Sequence, residues 1–299
     1  MRKSFDGMNI FNSKDLKETP RQPKSETVHR DTVTTPGNPE LTEQEKECQE
    51  FVEANKKTVS EALVGLIKEK QFVLVGEHHL DYECEPIRQE IAVALVKLQQ
   101  EGLTHIALEA SASKQQDVDS LDFGDPKIKQ ILKEHRVGGA GWGEGNFDIL
   151  IMAKRLGIKV ILIDHNDGRA NSARDNAQWQ NERDTNMMAS IQSQIDDKSK
   201  VLVFIGSAHV HKRSVEKFQD GRVTRLGTRL SEQYGSDTVS SIRHINQGDN
   251  FDGLLSFMSK TPTTEKISKG KKEVVILPDS GPIKGDERVT ATDYLITII

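Results

Sequence analysis

Cysteine, aromatic residues and long apolar runs are all scarce in this chain. Only Cys48 and Cys84 occur among its 299 residues, and they lack the close spacing of a zinc or disulfide framework, so we expect reduced thiols. No window approaches the roughly 20 apolar residues of a membrane helix, and no apolar segment follows the charged N-terminus. These features favour a cytoplasmic protein, or one delivered by a route that does not use a cleavable apolar signal peptide.

Basic charge is not in excess either. The formal net charge is −5 and the isoelectric point is near 6.0, whereas binding to phosphate backbones needs clustered cations. We therefore expect a small-molecule or peptide substrate, no nucleic acid and no membrane span. The sequence leaves the oligomeric state open.

Apolar periodicity is nearly missing from residues 1–41, which hold four prolines among serine, threonine and charged residues. Such a composition cannot bury enough apolar surface to offset the entropy of ordering. We predict a disordered tail over residues 1–41 and a single α/β domain over residues 42–299. A tail that directs the delivery of a toxin-like effector is a further interpretation, which rests on this segment alone.

Four apolar runs in the centre of the chain each end in acidic or imidazole side chains. They cover residues 71–76, 104–109, 159–164 and 200–206. Runs that are apolar at every position are typical of parallel strands covered by helices on both faces. Two more runs near the C-terminus predict added strands. The predicted fold is α/β, with a mostly parallel sheet flanked by helices and antiparallel additions near the C-terminus.

Two segments that follow predicted strands share the form Gly-x-x-His. They are Gly76-Glu77-His78-His79 and Gly206-Ser207-Ala208-His209, while Glu109 and Asp164 end the other two runs. Glycine permits a sharp turn or a close approach of the backbone. Because ligands of open α/β sheets bind beyond the carboxyl ends of the strands, these side chains predict one pocket rich in acid and base groups.

The acids and the nearby cation allow two interpretations each. Glu77 and Glu109, at neighbouring strand ends, are predicted to form a carboxylate pair in which crowding separates the two pKa values. The alternative is that one of them caps a helix N-terminus. Arg183 is predicted to neutralise a carboxylate or bind an oxyanion, and the alternative is a surface salt bridge to Asp184 or Glu182.

The sequence gives only weak signals for a metal site, a covalent mechanism or a phosphate-binding loop. His209 and His211 share a face if the strand continues through them, so a metal pair is open, but a third ligand is not identified. The chain has no Gly-x-Ser-x-Gly elbow and no Cys/His signature, which disfavours a covalent mechanism. The glycine-rich segment 137–145 lacks a Gly-Lys-Ser/Thr ending, so it is interpreted as a mobile loop bordering the pocket or a plain connector.

Together these motifs resemble the TIKI/erythromycin-esterase/ChaN-like superfamily over roughly residues 70–245. The resemblance rests on the two Gly-x-x-His motifs, on Leu108-Glu109 and on Arg183-Asp184-Thr185-Asn186-Met187-Met188-Ala189. It implies an α/β sheet with the site at its strand ends. TIKI-like members are metal-dependent peptidases, erythromycin-esterase-like members hydrolyse a lactone, and ChaN-like members are haem-binding lipoproteins. With no lipoprotein leader and no haem-ligand tyrosine near the motifs, a divalent metal ranks ahead of haem.

We therefore predict a hydrolase that acts on an ester, lactone or amide through His/Glu activation of water. Its predicted catalytic residues are Glu77, His79, Glu109, Arg183 and His209. His79 or Glu77 would be the general base, His209 the partner acid/base, Glu109 an orienting carboxylate and Arg183 the charge stabiliser. The alternative is a non-catalytic haem- or metal-binding protein of the ChaN-like type that uses the same crevice.

Overall fold

The fold is known for residues 43, 46, 50, 53–78, 84–138, 142–165, 176–212, 215–218, 220–244, 274–278 and 293–298, which a computed structural model describes. All of them belong to the second of two units into which the chain divides, Leu41–Ile299. The predicted disorder of residues 1–41 lies outside the described residues and stays a prediction. No helix in the described ranges is long and apolar enough to cross a membrane.

An eight-stranded sheet forms the centre of the described part. Its strands are β1 (Lys57–Thr58), β2 (Phe72–Glu77), β3 (His105–Ser111), β4 (Lys159–Asp164), β5 (Val201–Gly206), β8 (Val239–His244), β9 (Val274–Pro278) and β10 (Tyr294–Ile298). The remaining strands, β6 (Val215–Phe218) and β7 (Gly221–Thr224), pair with each other as a separate hairpin that the sequence analysis did not predict. The order across the main sheet is β1-β9-β10-β8-β2-β5-β3-β4.

The five strands β8, β2, β5, β3 and β4 are all parallel, which confirms the predicted α/β class. The antiparallel addition near the C-terminus is β9, which pairs antiparallel with both β1 and β10. Strand β10 itself runs parallel to β8. Because β2, β3, β4, β5 and β8 run in one direction, their carboxyl ends lie along one edge of the sheet.

Helices cover both faces of the sheet. They are α1 (Val59–Glu69), α2 (Cys84–Gln100), α3 (Gln115–Ser120), α4 (Ile128–Glu134), α5 (Glu144–Arg155), α6 (Ala177–Gln192) and α7 (Leu226–Tyr234). Along β2, Val73 and Val75 pack into the core that includes α1, α2 and α5, whereas Phe72 and Leu74 pack into the core that includes α6 and α7. Burial on both faces explains why the run is apolar at every position.

Helix α1 begins at the predicted capping box. The Thr58 hydroxyl accepts a hydrogen bond from the Glu61 backbone N–H at 3.2 Å, and the Glu61 carboxylate accepts one from the Thr58 N–H at 3.1 Å. Two otherwise unpaired groups of the first turn are thus satisfied. The predicted apolar face is buried, and it comprises Val59, Ala62, Leu63, Leu66 and Ile67.

The glycine-rich segment is partly helical. The interpretation of residues 137–145 as a loop or connector is wrong at its end, because α5 begins at Glu144. Gly143 is the residue before the helix, and its N–H donates to the Asn146 side chain at 2.9 Å. A Cβ atom on Gly145 would lie 2.4 Å from the Cβ of Arg88, so this glycine permits α5 to pass directly over α2.

Candidate active site

A polar cavity of about 320 Å³ lies at the carboxyl edge of the sheet. It is lined by Glu77, His78, Glu109, Trp179, Gln180, Arg183, Gly206, Ser207, Ala208, His209 and Arg225. Four of the five predicted catalytic residues are among them, whereas His79 lies outside the described residues. The structure therefore places four of these side chains together, and their chemical roles stay predictions.

The two Gly-x-x-His motifs meet at this edge. Strand β5 ends at Gly206, and a short 3₁₀ turn over Ser207–Val210 carries His209, which is 4% exposed. Gly76 of β2 lies against this turn, since a Cβ atom there would be 2.8 Å from the Cα of Ser207. The glycine of the first motif thus makes room for the turn that carries the histidine of the second.

The condition under which His209 and His211 would share a strand face is not met. The strand stops at Gly206, so the alternation that would align the two rings does not extend through them. Among the described residues, no group of three His, Cys, Asp or Glu side chains is placed to hold a metal ion.

Arg183 is the centre of the polar network. Its Nε donates to Asp164 Oδ1 at 2.9 Å, its Nη2 donates to the Glu109 carboxylate, and its Nη1 lies 3.0 Å from His209 Nε2. The side chain is only 13% exposed, so the alternative of an ordinary surface salt bridge is wrong. Burial opposes its charge, but Glu109 and Asp164 outweigh burial and raise the pKa of Arg183 above its usual range.

His209 is held from its other side by Asp184. Its Nδ1 lies 2.6 Å from Asp184 Oδ1, and the same oxygen accepts the Leu226 backbone N–H at 2.9 Å. Because Arg183 has only donors, the network assigns the proton of a neutral His209 to Nδ1 and leaves a lone pair on Nε2. Burial alone would raise the pKa of Asp184, but the attraction of His209 and Arg225 holds that pKa below its usual value.

Glu109 fixes the position of Arg183 relative to the sheet. Its Oε2 accepts the Gly206 N–H at 2.6 Å, and its Oε1 lies 4.0 Å from His209 Nε2. The Trp142 indole N–H donates to the Glu109 backbone carbonyl at 3.0 Å. The carboxylate is therefore tied to strand β5 on one side and to the guanidinium on the other.

The prediction that Glu77 and Glu109 end neighbouring strands is wrong, because strand β5 lies between β2 and β3. Glu77 instead pairs with Arg88, whose Nε lies 2.7 Å from Oε2, and its Oε1 accepts from Asn146 Nδ2 at 3.2 Å. Each acid thus has a guanidinium partner of its own. Burial disfavours the charge on Arg88, yet Glu77 raises the pKa of that side chain overall.

A thiol and two imidazoles lie beside the cavity. Cys84 Sγ donates to the His78 carbonyl at 3.2 Å and lies 3.3 Å from His244 Nδ1. The rings of His78 and His244 meet edge to face, with their centroids 5.3 Å apart. His78 Nε2 is buried and has no hydrogen-bond partner in the part of the chain that the structure describes.

Four residues of the site were missed in the sequence: Arg88, Asn146, Asp184 and Arg225. Asp184 follows Arg183 directly in the Arg-Asp motif, but its position in the sequence suggests only a surface salt bridge to that arginine. Arg88 and Asn146 lie within helices, Arg225 follows the short strand β7 that was not predicted, and none of the three has a distinctive spacing. No signal in a single sequence marks them, because packing between elements brings Arg88 and Asn146 to Glu77 and brings Arg225 to Asp184.

These observations define the class of protein. It has an α/β fold with a parallel sheet and a cluster of titratable side chains at the carboxyl edge of that sheet. No family model and no curated protein matches the chain. A solved structure of a Bacillus cereus protein matches with a TM-score of 0.50 and 12% identity, covering 84% of this chain and 96% of that one. At this identity the likeness concerns the fold alone.

Two further solved structures resemble the chain more weakly. The type III effector HopBA1 has a TM-score of 0.47 and 17% identity, covering 80% of this chain and 92% of that chain. ChaN of Campylobacter jejuni, which binds haem cofacially, has a TM-score of 0.43 and 12% identity, covering 81% and 92%. The activity of these proteins does not transfer to this chain at such similarity.

Proposed function

We propose that the protein is a hydrolase of an ester, lactone or amide in which His209 is the general base. One observation carries the proposal: Asp184, His209 and Arg183 form a chain with contacts of 2.6 and 3.0 Å at the edge of a polar cavity. A carboxylate behind an imidazole fixes the tautomer whose outer nitrogen can take a proton. In this proposal His209 takes the role that the sequence analysis gave to His79 or Glu77.

The reaction follows from the positions of these groups. Nε2 of His209 takes a proton from water, and the hydroxide attacks the carbonyl carbon of the substrate. The tetrahedral oxyanion accepts a hydrogen bond from Nη1 of Arg183, whose contact with the lone pair of His209 Nε2 is released as that nitrogen takes the proton. When the bond to the leaving alcohol or amine breaks, the imidazolium returns the proton to it, so the base is regenerated.

The surrounding carboxylates hold Arg183 ready for this step. Asp164 binds its Nε and Glu109 binds its Nη2, so the guanidinium plane is fixed while Nη1 faces His209. Fixed donors stabilise a transition state without the cost of reorientation, and one such donor contributes about 10²–10³-fold to kcat. A positioned base contributes about 10²–10⁴-fold.

The test is a panel of esters, lactones and peptides offered to the wild type and to His209→Gln. We expect kcat/KM to fall at least about 100-fold, whereas His135→Gln, at an exposed histidine on the end of α4, leaves it unchanged. Arg183→Lys is a second variant, which keeps the charge but loses the fork of donors. Full activity in both variants, or no hydrolysis of any substrate by the wild type, would contradict the proposal.

The alternative, haem or metal binding without turnover, is favoured by one specific observation. The Nε2 atom of His78 is buried without a hydrogen-bond partner among the described residues, and imidazole nitrogen is a ligand for haem iron and for divalent transition metals. Haem titration followed by its Soret absorption, and elemental analysis of the purified protein, test this alternative. Binding that is lost in His78→Ala, without hydrolysis, would favour it over the hydrolase.

A further inference from the structure

We propose that Arg225 is a positioning residue of this site, which holds Asp184 as a carboxylate and thereby sets how tightly His209 keeps a proton. The functional importance of this inference rests on the proposed function, whereas its test needs no hydrolase activity. Arg225 was not predicted from the sequence, and it acts through Asp184 rather than on a substrate atom.

Arg225 and the next residue approach the two oxygens of the Asp184 carboxylate, Leu226 with a hydrogen bond to Oδ1 and Arg225 as an ion pair that makes no hydrogen bond to Oδ2. The Arg225 guanidinium Nη1 lies 3.5 Å from Asp184 Oδ2, and the Leu226 N–H donates to Oδ1 at 2.9 Å. Nη1 of Arg225 also donates to the Gln180 side chain at 2.8 Å, and Gln180 lies one turn before Asp184 on α6. The start of α7 is therefore fastened to α6 at the acid that orients His209.

The carboxylate of Asp184 needs a cation because it is fully buried. Its exposed fraction is 0%, and that of Arg225 is 3%. A buried charge without a partner is strongly destabilised, and a neutral His209 supplies a hydrogen bond but no charge. Within the described ranges, the guanidinium of Arg225 lies at ion-pair distance from the Asp184 carboxylate. It therefore supplies the charge balance that allows His209 to remain neutral.

The charge on Arg225 also acts on His209 through space. Asp184 and Arg183 of α6 and Glu109 of β3 face this imidazole, and Glu77 and His78 at the end of β2 line the same cavity. Removing one positive charge behind Asp184 leaves the surroundings more negative, which favours the imidazolium.

The experiment is an NMR titration of the imidazoles in the full chain, with the His209 signal assigned from His209→Gln. In Arg225→Gln we expect the midpoint of His209 to rise by about one unit or more relative to the wild type. Arg225→Lys keeps the charge and should restore most of the wild-type midpoint. Arg229→Gln is the matched control, because Arg229 bonds to Thr224 and Asn181.

An unchanged His209 midpoint in a folded Arg225→Gln protein would overturn the inference, as would equal shifts in the Gln and Lys variants. If Arg225→Gln does not fold, Gln180→Ala replaces it, since loss of that hydrogen bond loosens Arg225 and should raise the midpoint by a smaller amount. An unchanged midpoint in Gln180→Ala would then overturn it. No substrate is needed, so a failure of the proposed hydrolase is distinguishable from a failure here.

Discussion

Replacing Arg88 with methionine tests the buried ion pair that supports the cavity. The side chains of Arg88 and Glu77 are 4% and 3% exposed, and Nε and Oε2 lie 2.7 Å apart. Methionine keeps much of the apolar stem that packs in α2 and removes the charge. Glu77 then remains in the interior without the guanidinium that compensates it.

The expected cost follows from this burial. Removing one partner of a buried pair typically costs about 3–5 kcal/mol, because the other charge stays in a poorly solvated place. Asn146 still donates to Glu77 at 3.2 Å. We therefore expect the free energy of unfolding to fall by about 3 kcal/mol, near the lower end of that range. At about 2–4 °C per kcal/mol for a domain of this size, the melting temperature should fall by about 6–12 °C.

The assay is urea and thermal unfolding followed by circular dichroism, with Lys68→Met as the matched control. Lys68 pairs with Glu101 at 3.2 Å, but these side chains are 53% and 37% exposed, so its loss should cost under about 1 kcal/mol. The double variant Glu77→Gln/Arg88→Met should recover part of the stability, because position 77 then carries no charge; Glu85, which also pairs with Arg88 at 3.3 Å, is 27% exposed. A loss in Arg88→Met no larger than in Lys68→Met would refute the reasoning.

Two further predictions concern glycine packing and acid stability. Gly65→Ala should stabilise the protein by about 0.5–1 kcal/mol, because Gly65 lies within helix α1 with no atom within 4 Å of the added methyl. Gly145→Ala should destabilise it by at least about 1 kcal/mol, because its methyl meets Arg88 at 2.4 Å; equal effects in urea unfolding would contradict this. The lowered pKa of Asp184 means that its stabilisation is present above its ordinary value of 3.8 and is lost as the pH falls through the folded pKa. Asp184→Asn should therefore flatten the acid side of the stability profile, and an unchanged slope of unfolding free energy below pH 4 would contradict this.

The sheet and its covering helices were largely predictable because their signals are local. A run such as 159–164, apolar on both faces, indicates a covered parallel strand whatever follows it, and the observed β4 has the same limits. The capping box at Thr58 and Glu61 likewise depends on four consecutive residues. The hairpin of β6 and β7 was missed because it is short and lies outside the main sheet.

The site was predictable only where its side chains follow strands. Glu77, Glu109 and His209 come after apolar runs, and parallel strands bring such positions to one edge. The error of placing Glu77 and Glu109 on neighbouring strands arose because β5, which comes later in the chain, inserts between β2 and β3. Sequence order does not reveal such an insertion. Asp184 and Arg225 depend on how α6 packs against the start of α7, which no local pattern encodes.

The absence of a side chain at Gly76 couples two distant parts of the chain. With Ser207 Cα 2.8 Å from where a methyl would stand, and a Val210 methyl at 2.9 Å, neither segment has room to adjust alone. Grafting residues 206–210 into a related scaffold would therefore require the strand beneath to be transplanted with it. An engineer who wishes to re-aim His209 has to redesign both segments as one unit.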